Sequence, residues 1–485
     1  MPDAIHPAAP VSSPTVPAQV AVRALALAGD LSMGQPPDQS VRAARLAVRL
    51  AQLQGADEST ARHAALVSLL RWSGCTANAA GFATLLGDDV GGREAMLRQG
   101  LPEGHPLNFA NIAPLAHIHC EVAGEVAALL GLPGPVETGL RHVWEHYDGS
   151  GAPRQLTHEA IPPVVYLTSL AGDLEILSRT HPVSAACQMI LQLGGVKYPS
   201  AMAQLAVAHA PALLAALEQA GDIDADLPAH PVALSIVAEL IELKLPWLTG
   251  YSRRVAELAV RAAALAGLDP EQGQRLERAA LLHGIGRASV SNTIWERPGR
   301  PSAADWERIR LAPYWTARAG ALIPALRDEA ELASRLYERL DGSGYFRNLD
   351  HDSLAMPARL LAAAAALAAL CAPRPWRSAM SELDACQQLQ ADAQAGLFDP
   401  QAVQWVVAAA AGQGGAAPSL PRRLLSEREA EVLRRISLGE SNKEAARAMQ
   451  ISPSTVRTHV ESIFRKLQCS TRAAATLKGL SLGLI

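Results

Sequence analysis

Near its C-terminal end the chain carries polar residues whose types and placement suit a polyanion. Lys443 falls in the first turn of a short helical pattern, and Thr455, Arg457 and Thr458 open the next one. Helix N-termini present free amides and the positive end of the macrodipole, so an ammonium or hydroxyl there suits phosphate oxygens. A guanidinium on the outer side of such a helix suits a base edge in the major groove. Glu461 stands one turn beyond Arg457, where an acid would repel phosphate. The six cysteines (Cys75, Cys120, Cys187, Cys371, Cys386, Cys469) include no CxxC pair. No zinc site or disulfide framework is therefore expected, and the thiols suit a reducing cytoplasm.

The elements that must hold the polar set are four helices within 421–485. Ser426 and Glu429 form a capping box that opens the first, Val432, Leu433 and Ile436 give it a buried stripe, and Gly439 ends it. Ser441 and Glu444 form a second capping box, ahead of a short helix with Ala445, Ala446 and Met449 inward. After a tight connection, Ser452 is an N-cap and Pro453 suits the first helical position, since its missing amide would be unpaired there anyway. Val456, Val460, Ile463 and Leu467 then recur as one stripe, which leaves Thr455, Arg457, Thr458 and Glu461 outward. A fourth helix is predicted from Thr471 to about Leu482, with Ala474, Leu477 and Leu480 inward. A short helix, a turn and a helix with a polar N-terminal face is the geometry for entering a major groove.

The ordered set Ser426-Glu-Arg-Glu, Gly439-Glu-Ser-Asn-Lys-Glu, Ile451-Ser-Pro-Ser-Thr-Val-Arg-Thr-His459, Lys466-Leu, Arg472 and Gly483-Leu-Ile485 resembles the LuxR/GerE-type helix-turn-helix family across the whole tail. The resemblance implies double-stranded DNA as partner, major-groove reading by the third helix and homodimerisation through the fourth. It adds His459 and Lys466 to Lys443, Thr455, Arg457 and Thr458 as the expected DNA-binding residues.

Charge agrees with that reading. Residues 421–485 hold 12 Lys/Arg against 6 Asp/Glu, whereas the rest of the chain holds 31 against 41. A basic tail on an acidic body is the footprint of a polyanion-binding end. The 485 residues are 49% apolar but only 4% aromatic, with long alanine tracts, which favours close-packed helices over β-sandwiches. The expected fold class is all-α, two tandem helical units followed by the four-helix tail. Residues 1–18 read as a disordered extension without the charged region of a signal peptide. Residues 411–420 are small and flexible and read as a linker. The longest uncharged apolar stretch is the 13 residues from Leu360 to Ala372, short of the ~20 a membrane span needs, so a soluble, cytoplasmic protein without membrane contact is expected.

The body is an internal repeat, with copies expected over 19–210 and 232–410. Ser40-Val-Arg-Ala-Ala-Arg-Leu-Ala-Val48 echoes Ser252-Arg-Arg-Val-Ala-Glu-Leu-Ala-Val260 at an offset of 212, and Asp148-Gly-Ser-Gly echoes Asp341-Gly-Ser-Gly at 193. The difference is about 19 extra residues in the first copy, around 87–111. In both turns Gly supplies an unusual φ and Asp a local side-chain cap.

The second copy, through 242–259, 281–287 and 338–345, resembles the HD-GYP family, all-α phosphohydrolases that cleave cyclic di-GMP at a two- or three-metal centre; the first copy does so more weakly. Such chemistry needs clustered His and Asp/Glu ligands. Position by position, the family's ligands in the second copy fall on Tyr251, His283-Gly284, Ala312, Leu336-Tyr337 and Ala365, so only Glu242 and His283 survive, with Arg287 for the family's lysine. In the first copy the His-Asp doublet falls on Arg71-Trp72 and the His-His pair on Val143-Trp144. His119 matches a ligand, while His142 and Asp173 miss by one residue, about 100° around a helix. No metal, no cofactor and no catalytic residue are therefore expected, and the body is read as non-enzymatic. It is expected instead to sense a small ligand, to dimerise, or to dock a protein partner. Leu336, Ala312 and Ala365 would line a drier former metal cavity, with Glu242, Tyr251, His283 and Tyr337 as the candidate ligand pocket. A metal-dependent cyclic di-GMP phosphodiesterase fused to a DNA-binding domain is the alternative.

Overall fold

The computed structural model describes residues 13–101, 105, 107–218, 223, 227–412 and 424–485. Residues 1–12 of the expected extension and 413–420 of the expected linker lie outside these. The chain divides into two units, the first made of 17–232 with 288–295, the second of 1–16, 233–287 and 296–485. The described residues are helical apart from turns, loops and the three-residue stretches Thr15–Pro17 and Pro231–Ala233.

In the first unit, helices Gln39–Leu53, Glu58–Leu70 and Pro163–Thr180 pack together and helix Ala18–Ser32 covers one side. Small residues allow the close approach. A Cβ on Gly172 would stand 1.9 Å from Arg71 Nη1, so a buried guanidinium passes directly over that helix. Asp30, fully buried, ties the start of Gln39–Leu53 by accepting from Ser40 N at 3.1 Å, and burial pushes its carboxyl up to about 7. Asp89 accepts from Asn292 N at 2.7 Å and Ser291 Oγ at 3.0 Å, which holds 288–295 within this unit. Helix Ser200–Leu217 is long and apolar enough to cross a membrane by composition alone, with a hydropathy of 1.5. Its buried residues, Ala203, Ala206, Ala210, Leu213 and Leu217, recur every three or four positions, the stripe of a helix packed on one side.

The second unit repeats the plan with helices Ser235–Glu242, Tyr251–Leu265, Pro270–Leu282, Met356–Cys371 and Pro400–Ala411. Met356–Cys371 is nearly all alanine and leucine and buries Ala358, Ala362, Ala363, Ala364, Ala365 and Ala368. The repeat read in the sequence recurs in the same local geometry. In the first unit Asp148 Oδ1 accepts from Ser150 N at 2.8 Å, Gly149 has φ +85°, and Glu145 takes the amides of Arg154 and Leu156. In the second, Asp341 Oδ1 accepts from Ser343 N at 3.0 Å, Gly342 has φ +75°, and Glu338 takes the amides of Arg347 and Leu349. Each buried glutamate thus replaces the partners that a looping backbone cannot supply to itself.

The tail consists of Glu427–Ser437, Asn442–Met449, Pro453–Leu467 and Arg472–Ser481, around one core of Val432, Leu433, Ile436, Met449, Val456, Ile463 and Leu467. Both predicted capping boxes form, Ser426 with Glu429 and Ser441 with Glu444. Ser452 accepts from Thr455 N at 3.0 Å. Gln450 ends the second helix at φ +55°, making the tight turn that aims the third.

Candidate functional site

Two places in the second unit gather chemistry. The first is the outer face of tail helices two and three. Lys443, Thr455, Arg457 and Thr458 are exposed and His459 is half-buried. Arg457 Nε lies 3.0 Å from Glu461 Oε1, a solvent-facing pair one turn apart. The acid that would repel phosphate is thus matched with the cation beside it, at small energetic value so long as water screens both. Lys466 differs from the others, because its ammonium is bound to Glu429 Oε2 at 2.7 Å. Ser462 Oγ donates to the other oxygen of Glu429 at 2.7 Å. Burial raises the Glu429 carboxyl, but Lys466, Ser426 and Ser462 outweigh it and hold the group at about 2.

The second place lies around Tyr251, His283 and Tyr337. The structure brings these three together. The Tyr251 and His283 rings meet edge to face at 5.6 Å, and Arg287 Nη2 donates to the Tyr337 hydroxyl at 2.6 Å. His283 Nδ1 faces Ala280 O at 2.6 Å, so that nitrogen carries the proton, while the buried Nε2 has no hydrogen-bond partner. Burial, helped by Arg287, holds the imidazole neutral down to about 3. Glu242 is spent on its own loop. Its two oxygens take the amides of Gly250 at 2.8 Å and Ser252 at 2.7 Å, and burial lifts its carboxyl to about 7.

The sequence reading missed the basic residues here. Arg374 lies 4.7 Å above the Trp247 ring and 5.1 Å above Tyr251, with Nη1 buried and unpartnered. Arg287 lies 5.2 Å from the Tyr251 ring, and Arg339, facing Phe398, is held below its ordinary pKa by burial. Around Tyr251 the guanidiniums lie on aromatic faces, an arrangement that stabilises a buried cation. Arg287 was visible only as a residual basic position, and no motif in the sequence marked Arg374.

The metals of the resembled family do not fit these residues. Both oxygens of Glu242 are engaged, His283 offers one nitrogen, and the nearby guanidiniums would repel a divalent cation. The first unit fits no better. His119 Nε2 is held by Arg71 O at 2.8 Å, and Asp173 is bound by Lys197 Nζ at 2.7 Å. Among the described residues no group of three or more His, Cys, Asp or Glu is placed to hold a metal.

Comparison with known proteins places these sites in two classes. Residues 235–402 match the HD domain family, and residues 423–478 match the bacterial regulatory proteins of the luxR family. The chain therefore joins an HD phosphodiesterase-like body to a LuxR-type DNA-binding domain. It is 30% identical over 285 residues, 55% of its length, to the 3'3'-cGAMP-specific phosphodiesterase 3 of Vibrio cholerae, and spans 61% of that relative. The tail is 46% identical over 65 residues to the probable transcriptional regulatory protein NarL of Mycobacterium tuberculosis, covering 13% of this chain and 29% of that one. Among solved structures, a cyclic GMP-AMP specific phosphodiesterase of V. cholerae (V-cGAP3) has the same fold at a TM-score of 0.59 and 22% identity, over 82% of this chain and 98% of that one. The expectation that the body is non-enzymatic is corrected here: its relative over more than half the chain is a named phosphodiesterase.

Proposed function

We propose that this chain is a DNA-binding transcription regulator whose HD body takes a cyclic dinucleotide of the cGAMP kind, with the phosphodiester against Arg287 and Arg374. The observation that carries the reading is the pairing, in one unit, of an exposed helix-turn-helix face with a cluster of guanidiniums on tyrosine and tryptophan rings. Guanidinium matches phosphate bidentately, and an aromatic ring offers a base a stacking face. The tail acts on double-stranded DNA through Lys443, Thr455, Arg457, Thr458 and His459, and Lys466 supports the fold through Glu429. The phosphodiesterase class of the relative supports the dinucleotide as ligand.

The test is calorimetric titration of the full chain with 3'3'-cGAMP, beside incubation with the same dinucleotide and Mn²⁺ and chromatography for linear product. Binding that weakens about tenfold or more in Arg374→Ala is expected, since a charge-assisted contact contributes roughly 1.5–3 kcal/mol. Linear product lost in His283→Ala would assign the hydrolytic step to this cluster. Absence of both binding and turnover would sink the reading.

A further inference from the structure

Within the second unit the tail rests on one face of the HD domain. Thr249 Oγ1 donates to Ser437 O at 2.8 Å, and Arg253 Nη2 donates to Leu480 O at 3.1 Å. The Arg253 guanidinium is held by an ion pair with the buried Glu239. Gly439, at φ +92°, lies so near Pro246 that a Cβ there would come within 3.2 Å of the proline ring. Helix Ser235–Glu242 meets the tail's fourth helix, and Ser437 Oγ and Thr476 Oγ1, 2.9 Å apart, join that helix to the end of the first. Lys443, Thr455, Arg457 and Thr458 stay exposed.

On the HD side the hydrogen bonds to the tail and the Gly439 contact come from 246–253, and the same segment lends Trp247 and Tyr251 to the basic–aromatic cluster. Trp247 lies under Arg374, and Tyr251 stands between Arg287 and Arg374 with its hydroxyl on Ala365 O at 3.0 Å. Glu242 clamps the segment at Gly250 and Ser252. Residues that face the cluster (Trp247, Tyr251) therefore alternate within eight positions with residues that hold the tail (Pro246, Thr249, Arg253). A rigid, doubly clamped segment cannot shift on one side without moving the groups on the other.

We infer that 246–253 is a two-faced docking element that couples the state of the basic–aromatic cluster to the seating of the DNA-binding tail. Coupling is reciprocal: whatever reshapes the cluster loosens or tightens the tail contact, and breaking the contact alters binding at the cluster by the same factor. The inference rests on the proposed function only for the identity of the ligand, and the experiment separates the two.

Two variants act on the tail side alone. Thr249→Ala removes one hydrogen bond and Thr249→Lys wedges the contact. Calorimetry with 3'3'-cGAMP on the full chain should show an affinity changed about 5- to 150-fold in Thr249→Lys, and changed in the same direction by less in Thr249→Ala. Wild-type affinity in both variants overturns the coupling and leaves the proposed function standing. If 3'3'-cGAMP does not bind the wild type, the ligand assignment fails, and hydrogen exchange decides the coupling. Arg374→Ala, confined to the cluster side, should then speed exchange of the Leu438–Glu440 and Leu482–Leu484 amides at least about fivefold. Unchanged exchange there overturns it.

Discussion

Arg457 enters solvent beside Glu461, and the two would have to part before the guanidinium could reach a base. That separation is cheap, because both groups are exposed and screened. Arg457→Ala is therefore expected to cost roughly 1–3 kcal/mol of binding to a selected duplex while leaving random-sequence DNA nearly unaffected. Lys443→Ala should weaken both duplexes alike. Fluorescence anisotropy on the two DNAs separates these outcomes, and equal losses on both for Arg457→Ala would remove it from base reading. At this scale the sequence was readable where a role depends on neighbours three or four residues away, as for Ser426, Ser441 and Ser452. It was unreadable where partners come from afar. Glu242 reads in the sequence as a pocket residue, yet its oxygens serve the amides of Gly250 and Ser252, which no inventory of side chains displays. Arg374 follows an alanine-rich helix without a motif, and only the fold sets it above Trp247.

The tail's first and third helices are knitted by a single carboxylate, since Glu429 receives Lys466 and Ser462 while closing its own capping box. Its folded pKa, about 2, lies below the ordinary 4.5. The unfolded chain therefore binds a proton more readily, so this stabilisation is complete above about pH 4.5 and fades as pH falls towards 2. Acid titration followed by circular dichroism should show an unfolding step in that window that shrinks in Glu429→Gln. An unshifted acid midpoint in the variant would count against the network. All four tail helices were legible with their ends placed to within a residue or so, because stripe and N-cap agreed at each. In the body, the two Asp-Gly-Ser-Gly turns were legible as turns. The glutamates clamping them, Glu145 and Glu338, were not, since each reaches amides nine and eleven residues away.

For the molecule as a whole, each tail brings a net +6 within 421–485 to DNA while the remainder of the chain is acidic. One such tail makes few phosphate contacts, so tight binding is expected with two chains on a two-fold site, half-sites about one helical turn apart. Sedimentation of the full chain with such a duplex should give two chains per DNA, and a single chain per DNA at saturation would contradict this. The alanine-rich helix Met356–Cys371 has a thermal consequence. It buries Ala358, Ala362, Ala363, Ala364, Ala365 and Ala368 beside only Leu360, Leu361 and Leu367, so its unfolding exposes less hydrocarbon than an all-leucine helix of equal length would. Apolar exposure raises heat capacity and polar exposure lowers it, which puts this helix's share of the increment below the usual ~12–15 cal/mol/K per residue. A smaller increment flattens the stability curve, so the contribution of such a helix to the free energy of folding varies less with temperature than that of a leucine-rich one.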